Sequence, residues 1–275
     1  MSKKNSKQNN KKQEVEKKSK APFFLIGGLL LVLIIALVTN KKDDTLMDLN
    51  LSKPNGTGVV IYDTTGQSPM NYKQAKEYSE SEYLENTIFQ GEVPLYGDNI
   101  TGIDQGSSGT QMKIKGADNG DGGTMPSGKL IGISDASILG EFIDGIRGLI
   151  DGKLPEKKDE CIISKELANN NNLKIGDTIS AYNMMGDESG NNLKYTLTVV
   201  GIYKDNTEEY ESPYRIAYFN RRNEIITSFE TLSETKSNMM MNSVFYLKDS
   251  NMYEDFKKEV QKKGLPGNFS FSYAN

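Results

Sequence analysis

Hydrophobic positions fall into one long uninterrupted segment near the amino terminus and a series of short runs after it. Residues 21–40 contain no charged side chain, and residues 23–38 are almost entirely apolar. About 20 apolar residues in a helix span a bilayer core, and a helix satisfies its backbone polar groups within a single segment. We therefore predict a transmembrane helix over residues 21–40. The alternative is a cleaved signal peptide, but the run is longer than a typical signal core and no small-residue cleavage site follows it.

The charges on either side of this segment indicate its orientation. Residues 1–20 contain eight Lys and two Glu, whereas the two Lys after the segment are followed at once by two Asp. The positive-inside rule places the amino terminus in the cytoplasm and residues 41–275 outside, so we predict a single-pass protein of the cell membrane whose contact with the lipid bilayer is residues 21–40. One Cys allows no internal disulfide, which favours the surface of a Gram-positive bacterium.

After the span, the pattern changes to short runs with strand or helix spacing. We predict a polar linker over residues 41–56 and a glycine-rich loop or hairpin arm over residues 91–130, with a strand at 111–115 inside it. Alternating or continuous apolar runs predict further strands at 58–63, 130–133, 161–163, 178–183, 195–203, 242–248 and 269–273. Helical spacing predicts helices at 71–88, 165–170 and 253–263, and a short or broken helix within 137–149.

The order of these elements predicts an α+β fold in two parts. Strand, helix and strand in residues 242–273 form a βαβ unit, and such a unit needs a further strand from elsewhere in the chain. The strand at residues 59–62 is the expected supplier, which brings the two ends of the extracytoplasmic region together. We therefore predict a sheet-and-helix part from residues 57–130 and 231–275, with residues 131–230 inserted as a β-rich part.

Charge and composition exclude several function classes. The whole chain has a formal net charge of −4 and residues 1–20 carry +6, so residues 41–275 carry −10, which argues against nucleic-acid binding. The chain has no His, the usual general base and metal ligand, and no Cys cluster for zinc. A nucleotide-binding glycine motif in a strand-to-helix context is also missing. We predict no enzymatic activity, no metal ion and no cofactor.

Four local features are candidate sites. Ser233 and Lys236 match the S-x-x-K nucleophile pattern, but its partner motifs are absent. Residues 118–123 have the composition of a calcium loop without its alternating acidic positions, so we interpret them as a turn. Cys161 is expected to be a buried small hydrophobic residue. The three Met at 239–241 are interpreted as core or linker filling, with an adaptable contact surface as the alternative.

The middle of the chain resembles the extracytoplasmic core domain of MacB-type permeases, in the FtsX-like ABC transporter family. Five motifs carry the resemblance, at Gly132-Ile133-Ser134 with Phe142 and at residues 152–155, 160–168, 173–179 and 195–203. The βαβ unit is similar to the last element of that domain. The resemblance marks five residues as a structural motif that fixes turns and packing: Gly152, Ala168, Gly176, Asp177 and Gly201. Gly176 is also expected from turn chemistry, because glycine readily adopts the positive φ of a tight entry into a strand.

The resemblance also implies partners. Members of that family work as dimers with a separate ATPase, so the implied partners are ABC ATPase and permease subunits, a second copy of the chain, and a peptide or lipid substrate. The family has three more membrane helices after this domain, and the sequence contains no second apolar segment. The chain is then either a piece of a permease or a stand-alone anchored domain. We predict a role in coupling or substrate contact for export or sensing; the alternative is a cell-surface binding module without a transporter partner.

Overall fold

The computed structural model of the chain describes residues 45–49, 51, 54–66, 70–105, 126–136, 140–208 and 217–274. Residues 45–275 form one compact unit. Within the described ranges, no helix has both the length and the apolar character needed to cross a membrane. The predicted tail, the predicted transmembrane helix at 21–40, the strand at 111–115 and the turn at 118–123 all lie outside the described residues.

The described residues form strands with short helices between some of them. The strands are β1 (Thr57–Asp63), β2 (Leu84–Ile88), β3 (Gln90–Gly97), β4 (Gly128–Ile133), β5 (Arg147–Gly152), β6 (Glu160–Ser164), β7 (Thr178–Asn183), β8 (Leu193–Asp205), β9 (Glu224–Ser228), β10 (Met240–Met241), β11 (Val244–Leu247) and β12 (Phe269–Tyr273). The α-helices are α1 (Tyr72–Ser79), α2 (Gly140–Ile143), α3 (Lys165–Asn171), α4 (Phe229–Ser233) and α5 (Tyr253–Lys262). The fold is therefore mixed α+β.

The smaller sheet joins the two ends of the described chain. Its strand order is β12-β1-β11-β2, and β1 pairs antiparallel with both β11 and β12. The strand–helix–strand unit β11-α5-β12 therefore receives β1 between its two strands, as the sequence predicts. Helix α5 packs on one face of this sheet through Phe256, whose ring lies against Phe245 and Phe271.

The larger sheet closes on itself. Its strand order is β10-β3-β4-β9-β6-β8-β5, and β7 pairs with both β3 and β8. Strands β3, β4, β9, β6, β8 and β7 thus form a closed ring in which every strand has two neighbours. The 13-residue strand β8 alternates buried and exposed positions, with Tyr195, Leu197 and Val199 in the main core. Closure gives the backbone N–H and C=O groups on both edges of these six strands a neighbouring strand to pair with. Strands β5 and β10 extend beyond the ring.

Several predicted elements differ from the structure. The predicted helix at 71–88 is helix α1 followed by strand β2, and the predicted helix within 137–149 is the four-residue α2 followed by strand β5. A spacing of four between Leu84 and Ile88 fits both helix and strand periods, so the pattern alone does not separate them. The glycine-rich residues 91–97 form strand β3 rather than a loop, because Gly91 packs against Met239 and Leu232 where a Cβ atom would collide.

The predicted bounds of the two parts also need correction. Strand β3 and the first residues of β4 fall in the predicted sheet-and-helix part, 57–130, but both pair in the larger sheet. Strand β10 falls in 231–275 and pairs with β3. The segments that form the smaller sheet are therefore shorter than predicted at both ends of the insertion.

Candidate functional site

Four of the five predicted motif residues meet around one stretch of strand β8. Gly152 at the end of β5 is paired in register with Gly201 of β8. The turn that contains Gly176 and Asp177 is bonded to Val199 of the same strand: the Gly176 N–H donates to the Val199 carbonyl at 2.8 Å, and the Val199 N–H donates to the Asp177 carbonyl at 2.9 Å. The motif thus joins β5, β8 and the α3–β7 connection at one point.

Gly152 and Gly201 allow the backbones at this point to approach closely. A Cβ atom on Gly201 would lie 2.4 Å from the Lys153 carbonyl oxygen, and one on Gly152 would lie 2.1 Å from the Val200 carbonyl oxygen. Gly152 also has a φ of +81°, in the region that L side chains rarely adopt. Any side chain at these positions would force the strands apart, so both glycines have a packing role.

Gly176, Asp177 and Ala168 shape the connection from α3 to β7. Gly176 has a φ of +93° and open space around its Cα, so its backbone conformation alone requires glycine. The Asp177 carboxylate accepts a hydrogen bond from the Lys174 N–H at 2.9 Å, which closes the turn. Ala168 is buried in the core, and its carbonyl accepts from the Leu173 N–H at 2.8 Å, after the left-handed residue Asn172 has ended the helix.

A second group of polar residues, which the sequence motifs do not indicate, is buried beside the ring. Arg147 at the start of β5 has a side chain only 3% exposed, and Asp205 at the end of β8 is fully buried. The Arg147 Nε lies 3.0 Å from Asp205 Oδ2 and 3.1 Å from Glu141 Oε2, and its Nη2 bonds to Glu224 at the start of β9. Arg221 adds contacts to Glu141 and Asp205 at 2.9 and 3.3 Å.

The electrostatics of this Arg147 cluster favour the fully charged state. Burial opposes ionisation of Asp205, but hydrogen bonds from Thr207 and the charge of Arg147 outweigh it, so the pKa of Asp205 lies below its ordinary value. Burial would lower the pKa of Arg147, but the surrounding Tyr203, Glu224 and Glu141 groups raise it above its ordinary value. Both ions therefore remain charged over the physiological range.

Tyr203 packs against the guanidinium of Arg147. The Arg147 guanidinium lies 5.3 Å from the Tyr203 ring centroid, and the Tyr203 hydroxyl donates to the Glu224 backbone carbonyl at 2.9 Å. Burial raises the pKa of this hydroxyl, so it stays protonated and is unsuited to act as a base. The cluster fastens β5, β8, β9 and α2 to one another.

The remaining candidate residues occupy structural positions. Ser233 is the last residue of α4 and Lys236 lies in the turn that follows, where the Lys236 N–H donates to the Ser233 carbonyl at 3.2 Å. Cys161 is completely buried in β6, and burial raises the pKa of its thiol, which makes it unreactive. Met239 and Met241 are buried in the core, as predicted for core filling. In the described part of the chain, no group of three acidic, Cys or His side chains is placed to hold a metal ion.

In comparisons with known proteins, part of the chain is similar in sequence to an ABC transporter permease. No protein-family model matches the chain. A 142-residue stretch, 49% of the chain, is 24% identical to the uncharacterized ABC transporter permease YclI of Bacillus subtilis (strain 168). The match spans only 28% of the length of that relative. The predicted resemblance to permease domains of this type is thereby confirmed.

Solved structures of similar proteins come from the same kind of transporter. The periplasmic region of MacB from Actinobacillus actinomycetemcomitans is 10% identical, covers 78% of the chain and 87% of its own length, and has a TM-score of 0.44. The extracellular domain of the ABC-type transporter YknZ from Gram-positive bacteria is 10% identical, covers 78% of the chain and 99% of its own length, and has a TM-score of 0.43. A domain of a putative permease from Porphyromonas gingivalis is 14% identical, with coverages of 79% and 88% and a TM-score of 0.36.

Proposed function

We propose that the chain is a non-enzymatic, membrane-anchored extracytoplasmic component of an ABC transporter system, acting in coupling or substrate contact for export or sensing. The observation that carries the proposal is the 142-residue sequence match to an ABC transporter permease. The arrangement of the described residues supports it, because both the Gly152–Gly201 contact and the Arg147 cluster fasten strands together. Its partners would be an ABC ATPase and permease subunits, with a peptide or lipid as substrate.

Membrane topology is the first test. The only native Cys, Cys161, is buried, so introduced Cys residues report alone. Lys258 on α5 has a side chain 72% exposed. In intact cells, the Lys258→Cys variant should react with a membrane-impermeant maleimide, and a Lys4→Cys variant should react only after lysis. Labelling of Lys4→Cys in intact cells, or of Lys258→Cys only after lysis, would contradict an extracytoplasmic domain on a single amino-terminal span.

Partnership with a transporter is the second test, and it separates the proposal from a stand-alone surface binding module. The full chain, with wild-type sequence and an added affinity tag, is expressed from its own promoter. It is purified from membranes after mild cross-linking. Recovery of one ABC ATPase and one polytopic permease in fixed proportion to the chain supports the proposal. Recovery of the chain alone favours the alternative, a cell-surface binding module without a transporter partner.

A further inference from the structure

The edges of the two sheets differ in how they are protected. Among the described strands, β2, β5, β10 and β12 are the ends of the two sheets. An exposed edge presents unpaired backbone groups and can pair with another chain, so proteins usually shorten it, charge it, bend it or cover it. Each of the first three strands has at least one such protection, whereas β12 has none within the described part of the chain.

The three protected edges use different means. Strand β10 is only two residues long. Strand β2 contains Glu85 and has an irregular register with β11. Strand β5 contains Arg147 and Asp151, has an irregular register with β8, and is partly covered because the Met47 N–H donates to the Leu149 carbonyl at 2.7 Å.

Strand β12 is regular, uncharged and aromatic. Its sequence is Phe-Ser-Phe-Ser-Tyr, and its register with β1 is unbroken over five pairs. The even-numbered residues make its bonds to β1, since the Ala274 N–H donates to the Gly58 carbonyl at 2.8 Å and the Thr64 N–H donates to the Asn268 carbonyl at 2.9 Å. In an antiparallel pair the alternate residues point their backbone groups to the other side. The N–H and C=O groups of Phe271 and Tyr273 therefore face the open edge.

Charge and symmetry indicate what pairs with this edge. Residues 41–275 carry −10, which opposes contact between two copies over most of the surface, but residues 264–275 contain no charged side chain at all. Within β12, aromatic residues occupy positions 269, 271 and 273, so the strand is complementary to itself when it is turned around Phe271. A contact between identical patches related by a twofold axis requires this kind of self-complementarity.

We propose that β12 pairs with β12 of a second copy, antiparallel and with Phe271 on the twofold axis, so that the two smaller sheets become one continuous sheet of eight strands. The two Phe271 residues then exchange two backbone hydrogen bonds. The Tyr273 N–H of each copy donates to the Phe269 carbonyl of the other, while the Phe269 N–H keeps its bond to the Pro266 carbonyl at 3.1 Å. Aromatic residues lie opposite one another at each of these pairs, which favours strand pairing. This pairing does not depend on the proposed transporter role.

Disulfide trapping tests the contact and its register. In this register Ser270 of one copy lies opposite Ser272 of the other, in a pair with Cα atoms about 4.5 Å apart, within the range that a disulfide spans. The Cα atoms of the two Ser270 residues would be about 8 Å apart, outside that range. Both Ser are half-buried, and Ser→Cys is a small change that preserves the fold.

The experiment uses full-length chains with two different tags, co-expressed in membranes and treated with copper phenanthroline. One tagged chain carries Ser270→Cys and the other carries Ser272→Cys. This mixture should give a disulfide-linked dimer carrying both tags. Ser270→Cys alone and the wild-type chain should remain monomeric, because Cys161 is buried. A mixture that does not cross-link, or Ser270→Cys alone that cross-links equally well, overturns the proposal. Pairing of β12 with a strand of another protein would appear as the first of these outcomes.

A second variant pair tests the role of the backbone at this edge. Added to the cross-linking pair, Tyr273→Pro removes an N–H that faces outward and leaves the bonds of Ser272 and Ala274 to β1 intact. It should reduce the dimer yield by about tenfold, the effect of two lost hydrogen bonds. Tyr273→Ala removes the same ring but keeps the N–H, so its yield should stay well above that of Tyr273→Pro. Equal yields for the two variants, with unchanged circular dichroism, would overturn the strand pairing.

Discussion

The smaller sheet and the closed ring are stabilised in different ways. In the smaller sheet, α5 and the strands meet through apolar side chains: Phe256 and Val260 are buried, and the Phe256 ring lies with its centroid 5.6 and 6.5 Å from those of Phe245 and Phe271. At the ring, β5 is joined to the ring strands at fixed points by the Arg147 cluster and by the close approach of Gly152 to Gly201. Apolar packing depends mainly on buried area and shape, whereas ion pairs and close backbone approach depend on direction and distance.

This difference teaches where conservative substitutions should be tolerated. A hydrophobic core accepts a residue of similar volume at modest cost. A buried guanidinium held by three carboxylates accepts no replacement that leaves those carboxylates uncompensated. The ring should therefore be sensitive to small chemical changes, and the smaller sheet should be sensitive mainly to loss of volume.

The largest expected effect is at Arg147. Arg147→Ala leaves the buried Asp205 carboxylate and the nearby Glu224 without their shared cation, and should destabilise the folded state by about 3–5 kcal/mol. The measurement is the urea dependence of Cys161 labelling in the full chain in detergent, because this thiol becomes accessible only on unfolding. The control is Lys158→Ala, which removes an exposed pair with Glu234 and should leave the transition unchanged. Arg147→Lys should also be strongly destabilising; full stability of that variant would argue against the directional cluster.

The next effect is at the close approach of β5 and β8. Gly201→Ala places a Cβ atom against the Lys153 carbonyl oxygen and should cost about 1–3 kcal/mol by overpacking. Gly140→Ala is the matched control, because nothing lies within 4 Å of its Cβ position at the start of α2. That substitution should be neutral or stabilising by up to about 1 kcal/mol. The same Cys161 labelling assay measures the stability of both variants. Similar losses of stability would mean that replacing any glycine is costly, and that close packing at Gly201 is not the cause.

A conservative substitution should have a smaller effect in the aromatic core of the smaller sheet. Phe256→Leu retains most of the buried volume and should cost less than about 1.5 kcal/mol, whereas Phe256→Ala should cost about 3–5 kcal/mol. Thermal unfolding of the two variants followed by circular dichroism measures the difference. A loss for Phe256→Leu as large as that for Phe256→Ala would mean that ring geometry, and not volume, holds α5 on the sheet.

The smallest effect is a pH dependence of the Arg147 cluster. Because the folded-state pKa of Asp205 lies below the ordinary value of 3.8, its contribution to stability is present above that pH and is lost as the pH falls through the folded-state pKa. In Arg147→Met the Asp205 carboxylate loses the nearer of its two cations and keeps only the 3.3 Å contact to Arg221, so its pKa should rise. The stability deficit of Arg147→Met relative to wild type should therefore shrink between about pH 7 and about pH 3. A deficit that is constant over this range would show that Asp205 does not titrate with the cluster.

Local chemistry predicted much of the fold but not its boundaries. The strands β6, β7, β8 and β12 and the helix α3 were predicted because their apolar runs end at residues with specific turn chemistry, such as Asn172 and Gly176. The glycines of β3 gave the wrong prediction, because the same residue serves a flexible loop and a site of close packing. The two roles of glycine differ in which residues pack against it. For Gly91 these residues are Leu232 and Met239, which are far away in the sequence.

The Arg147 cluster could not be predicted from local sequence. Its partners Asp205 and Glu224 are 58 and 77 residues away, and no spacing rule connects them. The one local signal is an Arg inside the apolar run Ile146-Arg147-Gly148-Leu149-Ile150, followed much later by Asp205 at the end of an alternating strand. A charged residue at a strand position that should face inward needs a partner of opposite charge, and that argument predicts a buried ion pair without identifying the partner.

Strand β1 has a consequence for the order in which the chain can fold during synthesis. It is the first described strand to be made, and both of its neighbours, β11 and β12, come from the last residues of the chain. Such non-local pairing is slow, and apolar strand residues such as Val59 and Ile61 must wait unpaired until the rest is complete. The ring can close once β9 has been made, so its assembly precedes that of the smaller sheet. Ribosome pausing or truncation near residue 240 should therefore yield a folded ring with β1 still accessible to proteases and chaperones.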